Sequence, residues 1–209
     1  QTIKSFSSKS TENKHHSDKL IQTEPGMNRF VWDMHYPDPN KVNGTDIAQN
    51  SLQGPLAPPG HYQVNLSIGK ESQTQTFRLL KDPRVIASQK DLKTQFDLLV
   101  RITDKVTETH DAINRLRNVR KQMDEWISKA RSSLSINQLS QSAESVNAKL
   151  SSIEEELIQT KERGKELDRI ALPSKLNAKL AELTSVVSSA DSAPTVQSYD
   201  VFNLLSSQA

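Results

Sequence analysis

Residues 88–130, SQKDLKTQFDLLVRITDKVTETHDAINRLRNVRKQMDEWISKA, limit more than any other stretch what this chain can fold into. Leu92, Phe96, Leu99, Ile102, Val106, Ile113, Leu116, Val119, Met123 and Ile127 follow one another in steps of three, four or seven. That spacing draws a single apolar stripe along an α-helix, with Lys, Arg, Asp, Glu, Thr and Asn left for a solvated face. Ser88 and Asp91 read as a capping box, each side chain reaching a donor that the first turn leaves open. At about 1.5 Å per residue such a helix is roughly 64 Å long. It needs protein against its stripe along that length.

The breakers divide the chain around this helix. Five of the six Gly and seven of the nine Pro lie at or before Pro83, and neither residue returns until Gly164. The interval free of breakers is helical, and the part before it is a series of short alternating runs between turns. Within that first part, residues 2–7 are expected as a strand and residues 9–19 as a polar loop. Residues 27–34 (MNRFVWDM) place Phe30, Trp32 and Met34 on one pleat face, with Trp32 as the anchor of a core. The Pro- and Gly-rich residues 36–60 form a long, locally rigid connection. Tyr62, Val64, Leu66 and Ile68 then alternate with polar residues as a half-buried strand. Gly69-Lys70 turns the chain into residues 74–80, where Phe77 and Leu79 join the same core.

Three further helices are expected after residue 131. The second begins at a capping box of Ser135 and Gln138, with Leu134 stapled to Leu139, and carries Ala143, Val146, Leu150, Ile153 and Leu157 toward Gly164. The third starts at Ser174 with Leu176, Leu180, Leu183 and Val187. The fourth opens at Pro194 with Val196, Tyr199, Phe202 and Leu205. Short connections between amphipathic segments favour antiparallel neighbours.

Composition narrows the class. Hydrophobic residues are 34% and aromatics 5%, which suits small or elongated domains with much surface. A net charge of +2 without a basic run gives no footprint for nucleic acid, and no apolar run of about 18 residues is present to span a bilayer. With no cysteine there is neither disulfide nor thiolate chemistry. The chain starts at Gln1 without an initiating Met or a signal peptide and is read as a piece of something longer.

Several motifs carry a family likeness. They are Gly26-Met27-Asn28-Arg29-Phe30-Val31-Trp32-Asp33 with Tyr36-Pro37, Gly54-Pro55-Leu56-Ala57-Pro58-Pro59-Gly60-His61-Tyr62, and Lys81-Asp82-Pro83-Arg84. In the helical part they continue with Gln95-Phe96-Asp97-Leu98-Leu99, Asn114-Arg115-Leu116-Arg117, Leu172-Pro173-Ser174-Lys175-Leu176-Asn177 and Asp191-Ser192-Ala193-Pro194-Thr195. Together they resemble the C-terminal region of large bacterial sortilin-like, BNR-repeat β-propeller proteins, many of which bear the label glycosyl hydrolase. The first part also resembles the immunoglobulin-like domain of the flagellar hook-capping protein. The resemblance implies export to the periplasm or the cell exterior and one or two β-propellers upstream in the same polypeptide. It supplies no catalytic residue for this region, and a family label does not supply a site.

The residues themselves offer little chemistry. Glycoside hydrolysis needs two carboxylates facing one cleft; Asp33 alternates with the core residues Trp32 and Met34, and Asp38 and Asp46 lie among prolines, so a turn or strand-edge hydrogen-bonding role is the simpler reading. His15-His16 with Asp18, and His35 with Asp33 and Asp38, lack zinc-site spacing and read as solvated loop residues. His110 reads as an interfacial polar residue beside the stripe, and Asn114, Arg115 and Arg117 as holders of a salt bridge or hydrogen bond. Trp126 is read first as a cap on the bundle core, with a contact surface as the alternative.

The expected architecture is therefore α+β in two parts, an immunoglobulin-like β-sandwich over residues 1–84 and an antiparallel α-helical bundle with one long helix over residues 85–209. The expected role is a non-catalytic accessory module that packs on its propeller or mediates protein–protein association, including a homodimer through the helices. No catalytic, cofactor or metal residue is assigned. Trp126, Trp32 and Tyr36 are the candidate contact residues. A carbohydrate- or peptide-binding module built on Trp32, His35 and Tyr36 is the alternative.

Overall fold

A computed structural model describes residues 2–9, 20–44, 48–130, 136–161 and 171–208. Among them the chain is mixed α and β: a two-stranded antiparallel sheet and four helices, one of them long. A short 3-10 turn at Ala48–Ser51 precedes the sheet.

The sheet is a hairpin of β1 (Gly60–Ile68) and β2 (Glu71–Leu79), paired from Gly60 opposite Leu79 to Ile68 opposite Glu71. Its two-residue loop is the expected Gly69-Lys70, and Gly69 takes a φ of +61°, a left-handed conformation that favours glycine. Tyr62 lies opposite Phe77 with the rings stacked at 5.8 Å, and the Tyr62 hydroxyl donates to the Pro58 carbonyl at 2.6 Å.

The expected strands at residues 2–7 and 27–34 do not join this sheet. Among the described residues both run without ladder pairing, and an isolated bridge nearby joins His35 to Leu56. Met34, the last residue of the second run, leaves the extended region with a φ of +62°. The two runs touch through Phe6 and Phe30, whose rings are 4.5 Å apart, and Trp32 meets Tyr62 of the hairpin at 6.1 Å.

The long helix α1 spans Gln89–Ala130. Its capping box is formed as expected. The Ser88 amide donates to the Asp91 carboxylate at 3.0 Å and the Asp91 amide donates to the Ser88 hydroxyl at 3.1 Å. Lys81 bridges the hairpin to this start by donating to the carbonyls of Val85 and Ala87, and the Gln89 amide group reaches the Pro59 carbonyl at 3.1 Å.

Helices α2 (Ile136–Leu157), α3 (Leu176–Val187) and α4 (Val196–Ser206) pack on α1. The capping box expected at Ser135 and Gln138, with its Leu134 staple, lies outside the described residues. The second helix ends at Leu157, earlier than Gly164 suggested. The fourth starts at Val196, because Thr195 is its N-cap and accepts from the Ser198 amide at 3.3 Å, leaving Pro194 one residue before the cap.

The core sits on the first half of α1. Leu98, Leu99, Ile102, Val106 and Ile113 bury against Leu176, Leu180, Leu183 and Val187 of α3, Phe202 and Leu205 of α4, and Leu157 and Ile158 at the end of α2. Gln95 joins this core as a polar member. Its buried amide donates to the Val187 and Ala190 carbonyls at 2.7 and 2.6 Å, satisfying acceptors that the C-terminus of α3 leaves open. Val42, from the Pro-rich connection, is buried in the same cluster.

Candidate functional site

Residues 36–44 and 48–57 form a strap that crosses α1 and is tied together at its ends. The His35 ring nitrogen Nδ1 is 2.6 Å from the Gly54 carbonyl, the Gly54 amide donates to Asp38 at 2.9 Å, and the Tyr36 amide donates to Pro55 at 2.9 Å. A side chain at position 54 would run into the carbonyls of Tyr36 and Pro37, so only glycine fits the crossing. The sequence suggested a locally rigid connection here, and these bonds are its physical basis.

One face of α1 receives the strap. The Asn40 amide group donates to both oxygens of Asp111 at 2.9 and 3.0 Å, and its backbone N–H donates to the Thr107 hydroxyl at 3.3 Å. Asn114 bonds in both directions, donating to the Lys41 carbonyl and accepting from the Asn43 amide, each at 2.8 Å. The Asn43 carbonyl accepts from Arg117 at 3.0 Å. His110 is fully buried under the strap, with Nδ1 2.5 Å from the Asn40 carbonyl and, among the described residues, no partner for Nε2. Burial lowers its pKa below the ordinary 6.5, although the Asn40 hydrogen bond and the Asp111 charge act the other way. A neutral imidazole donating from Nδ1 fits this setting.

Below the strap, α1 and α2 are tied by charge. Glu154 is buried and accepts from Arg117 at 2.7 Å and from Arg120 at 2.8 Å, while Arg120 also reaches Ser151 at 3.2 Å. Burial pushes the Glu154 carboxyl up, but the hydrogen bonds and charges of the two arginines outweigh it and hold the pKa below the ordinary value.

The residues singled out in the sequence are used mostly for this internal framework. Asp33 accepts from the His35 amide at 3.1 Å and Asp38 from Gly54, both as turn acceptors. Asp46, His15, His16 and Asp18 lie outside the described residues. Among the described residues no three His, Cys, Asp or Glu side chains come together as metal donors, and no helix is long and apolar enough to cross a membrane. Trp32 is half-buried and its indole N–H donates to the His35 carbonyl at 3.1 Å. Tyr36 sets its ring edge-on against Phe96 at 4.7 Å, and burial raises its pKa. Both aromatics thus make contacts within the chain.

Trp126 differs. It is 74% exposed, so it does not cap the core. An exposed apolar row also runs along β1 of the hairpin, with Gln75, Gln73 and Glu71 of β2 opposite it on the same side. Val64, Leu66 and Ile68 alternate onto the same side as Tyr62 and Phe77, and all three are more than half exposed. The half-buried strand expected there is bare along most of its length. Comparison with family models, with curated proteins and with solved structures finds no match to this chain.

Proposed function

We propose that this chain is a non-catalytic accessory module of a larger exported β-propeller protein, working in the periplasm or outside the cell. Its first part docks on a propeller upstream in the same polypeptide. The finer architecture belongs to the same proposal: residues 1–84 as an immunoglobulin-like sandwich and residues 85–209 as an antiparallel helical bundle that serves as its rigid mount.

The observation that carries this reading is the exposed apolar row Val64, Leu66 and Ile68 on one side of β1. A two-stranded sheet is marginally stable by itself, and a row of exposed Val, Leu and Ile beside two unpaired strand edges is a surface made to be covered by protein. The contacts of Phe6 with Phe30 and of Trp32 with Tyr62 bring two extended runs against the hairpin, consistent with an incomplete sandwich. The choice of partner rests on the motif likeness to propeller tails.

Calorimetric titration of the chain with the separately produced upstream propeller tests it. Saturable binding that Leu66→Lys abolishes is expected. Absence of binding by the folded chain, or binding indifferent to Leu66→Lys, overturns the reading.

A further inference from the structure

Beyond that docking role, we infer that the far end of the molecule holds a second interface, a face of the α1–α2 pair that associates with a second copy of this chain. Trp126 lies about 55 Å along α1 from Gln89, so this face is separate from the sheet.

The register of the helix pair locates it. Arg117 meets Glu154 and Arg120 meets Ser151, so the helices are antiparallel and each step up α1 matches a step down α2. Continuing that register sets Val119 level with Ile153, and Trp126 level with Val146. All four are exposed, at 41, 50, 74 and 43%. On each helix the two residues are seven apart and stay on one flank. At about 100° per residue, Val119 and Trp126 stand roughly 160–180° round α1 from Arg117, and Val146 and Ile153 roughly 140–160° round α2 from Ser151. The ionic side of the pair thus faces one way and the two apolar rungs the other. Half-buried Met123 and Leu150 lie between the rungs.

This pattern suits a copy of itself. A two-fold axis through the middle of the face brings the Val119–Ile153 rung of one chain onto the Trp126–Val146 rung of the other, an isologous contact that closes a four-helix bundle. Two helices side by side, each about 10 Å across and paired over about 25 Å, offer about 500 Å² per copy. The total of about 1,000 Å² is at the lower bound for a specific interface. A net charge of +2 gives the copies little reason to repel each other. The dimer should therefore form in the micromolar range and be weak.

Sedimentation velocity of the chain between about 1 and 300 µM tests the inference. The expected result is a concentration-dependent shift from 23.4 kDa to twice that mass, with Trp126→Glu and Ile153→Glu each weakening association at least 100-fold at unchanged helical circular dichroism. Tryptophan emission should shift to the blue as the dimer forms, and Trp126→Phe should abolish that shift and keep the dimer. A monomer across the whole range overturns the inference. So does a dimer that survives both Glu variants, or one that Leu66→Lys disrupts, since that places the contact on the sheet. A monomer, or a dimer that survives both Glu variants and Leu66→Lys, leaves the propeller reading of the sheet untouched.

Discussion

Residues 98–106 of α1 and residues 64–68 of β1 carry the same kinds of apolar side chain, each at the period of its own element. Their fates differ. Leu98, Ile102 and Val106 have essentially no exposure, whereas Val64, Leu66 and Ile68 stand in solvent, Ile68 at 71%. The helix has α3 and α4 laid across it, whereas among the described residues the ring that meets the hairpin at Tyr62 from outside it is that of Trp32. Periodicity states which face an element must hide. It does not state whether the cover is encoded in the same stretch of chain.

The comparison can be broken or sharpened by substitution. The largest effect is expected at Leu180, a side chain with no exposure in the centre of the helical core. Leu180→Ala should cost about 2–5 kcal/mol in a urea melt, the removed methyl groups and the residual cavity acting together. A loss under about 1 kcal/mol would mean that the helical core is no better packed than the hairpin.

Next comes the ionic tie. Glu154→Gln leaves Arg117 and Arg120 facing a neutral amide, and should cost about 1–3 kcal/mol, because the carboxylate is buried while both arginines keep some contact with solvent. Linkage gives a companion test: since the pKa of Glu154 is lowered by folding, its contribution is complete above the unfolded value near 4.5 and is lost as the pH falls through the folded pKa. The acid-unfolding midpoint of the Gln variant should therefore lose part of its dependence below about pH 4.5.

His110 acts in a separate window. Its folded pKa is depressed, so folding excludes a proton that the unfolded chain takes up near 6.5. Stability is full above that value and falls as the pH drops toward the folded pKa, by at most about 1.4 kcal/mol per pH unit. Melting temperatures between pH 7.5 and 5 should show this slope, and His110→Gln should flatten it.

The smallest effect is expected on the hairpin. Leu66→Thr should change the stability of the chain by less than about 0.5 kcal/mol, a result that only an uncovered face can give.

Much of the architecture was legible before any coordinates. The Ser88–Asp91 box, the long stripe of α1, the Gly69 turn and the four apolar residues of α3 each follow from local rules acting over a few residues. The strap was legible only as a rigid connection. Its attachment through Asn40, His110 and Asn114 joins residues about 70 apart in sequence and carries no periodic signature. The same holds for Glu154, which interrupts the α2 stripe as a buried charge while Val146 and Ile153 of that stripe are exposed. Gln95 and Glu154 were missed because polar residues inside a helical pattern are read as solvated, and Asn40 because a polar residue in a Pro-rich connection carries no periodic signal. The strands at 2–7 and 27–34 were overcalled because alternation fixes a pleat without fixing a neighbour to pair with.

Hydrogen–deuterium exchange of the β1 and β2 amides, compared between this chain alone and a longer polypeptide carrying the propeller proposed to lie upstream, tests the central claim most directly. Covering the hairpin should slow its exchange at least about 100-fold, roughly 2.7 kcal/mol of added protection, with the amides of α1 from Leu98 to Val106 unchanged. Equal hairpin exchange in the two proteins would contradict the account.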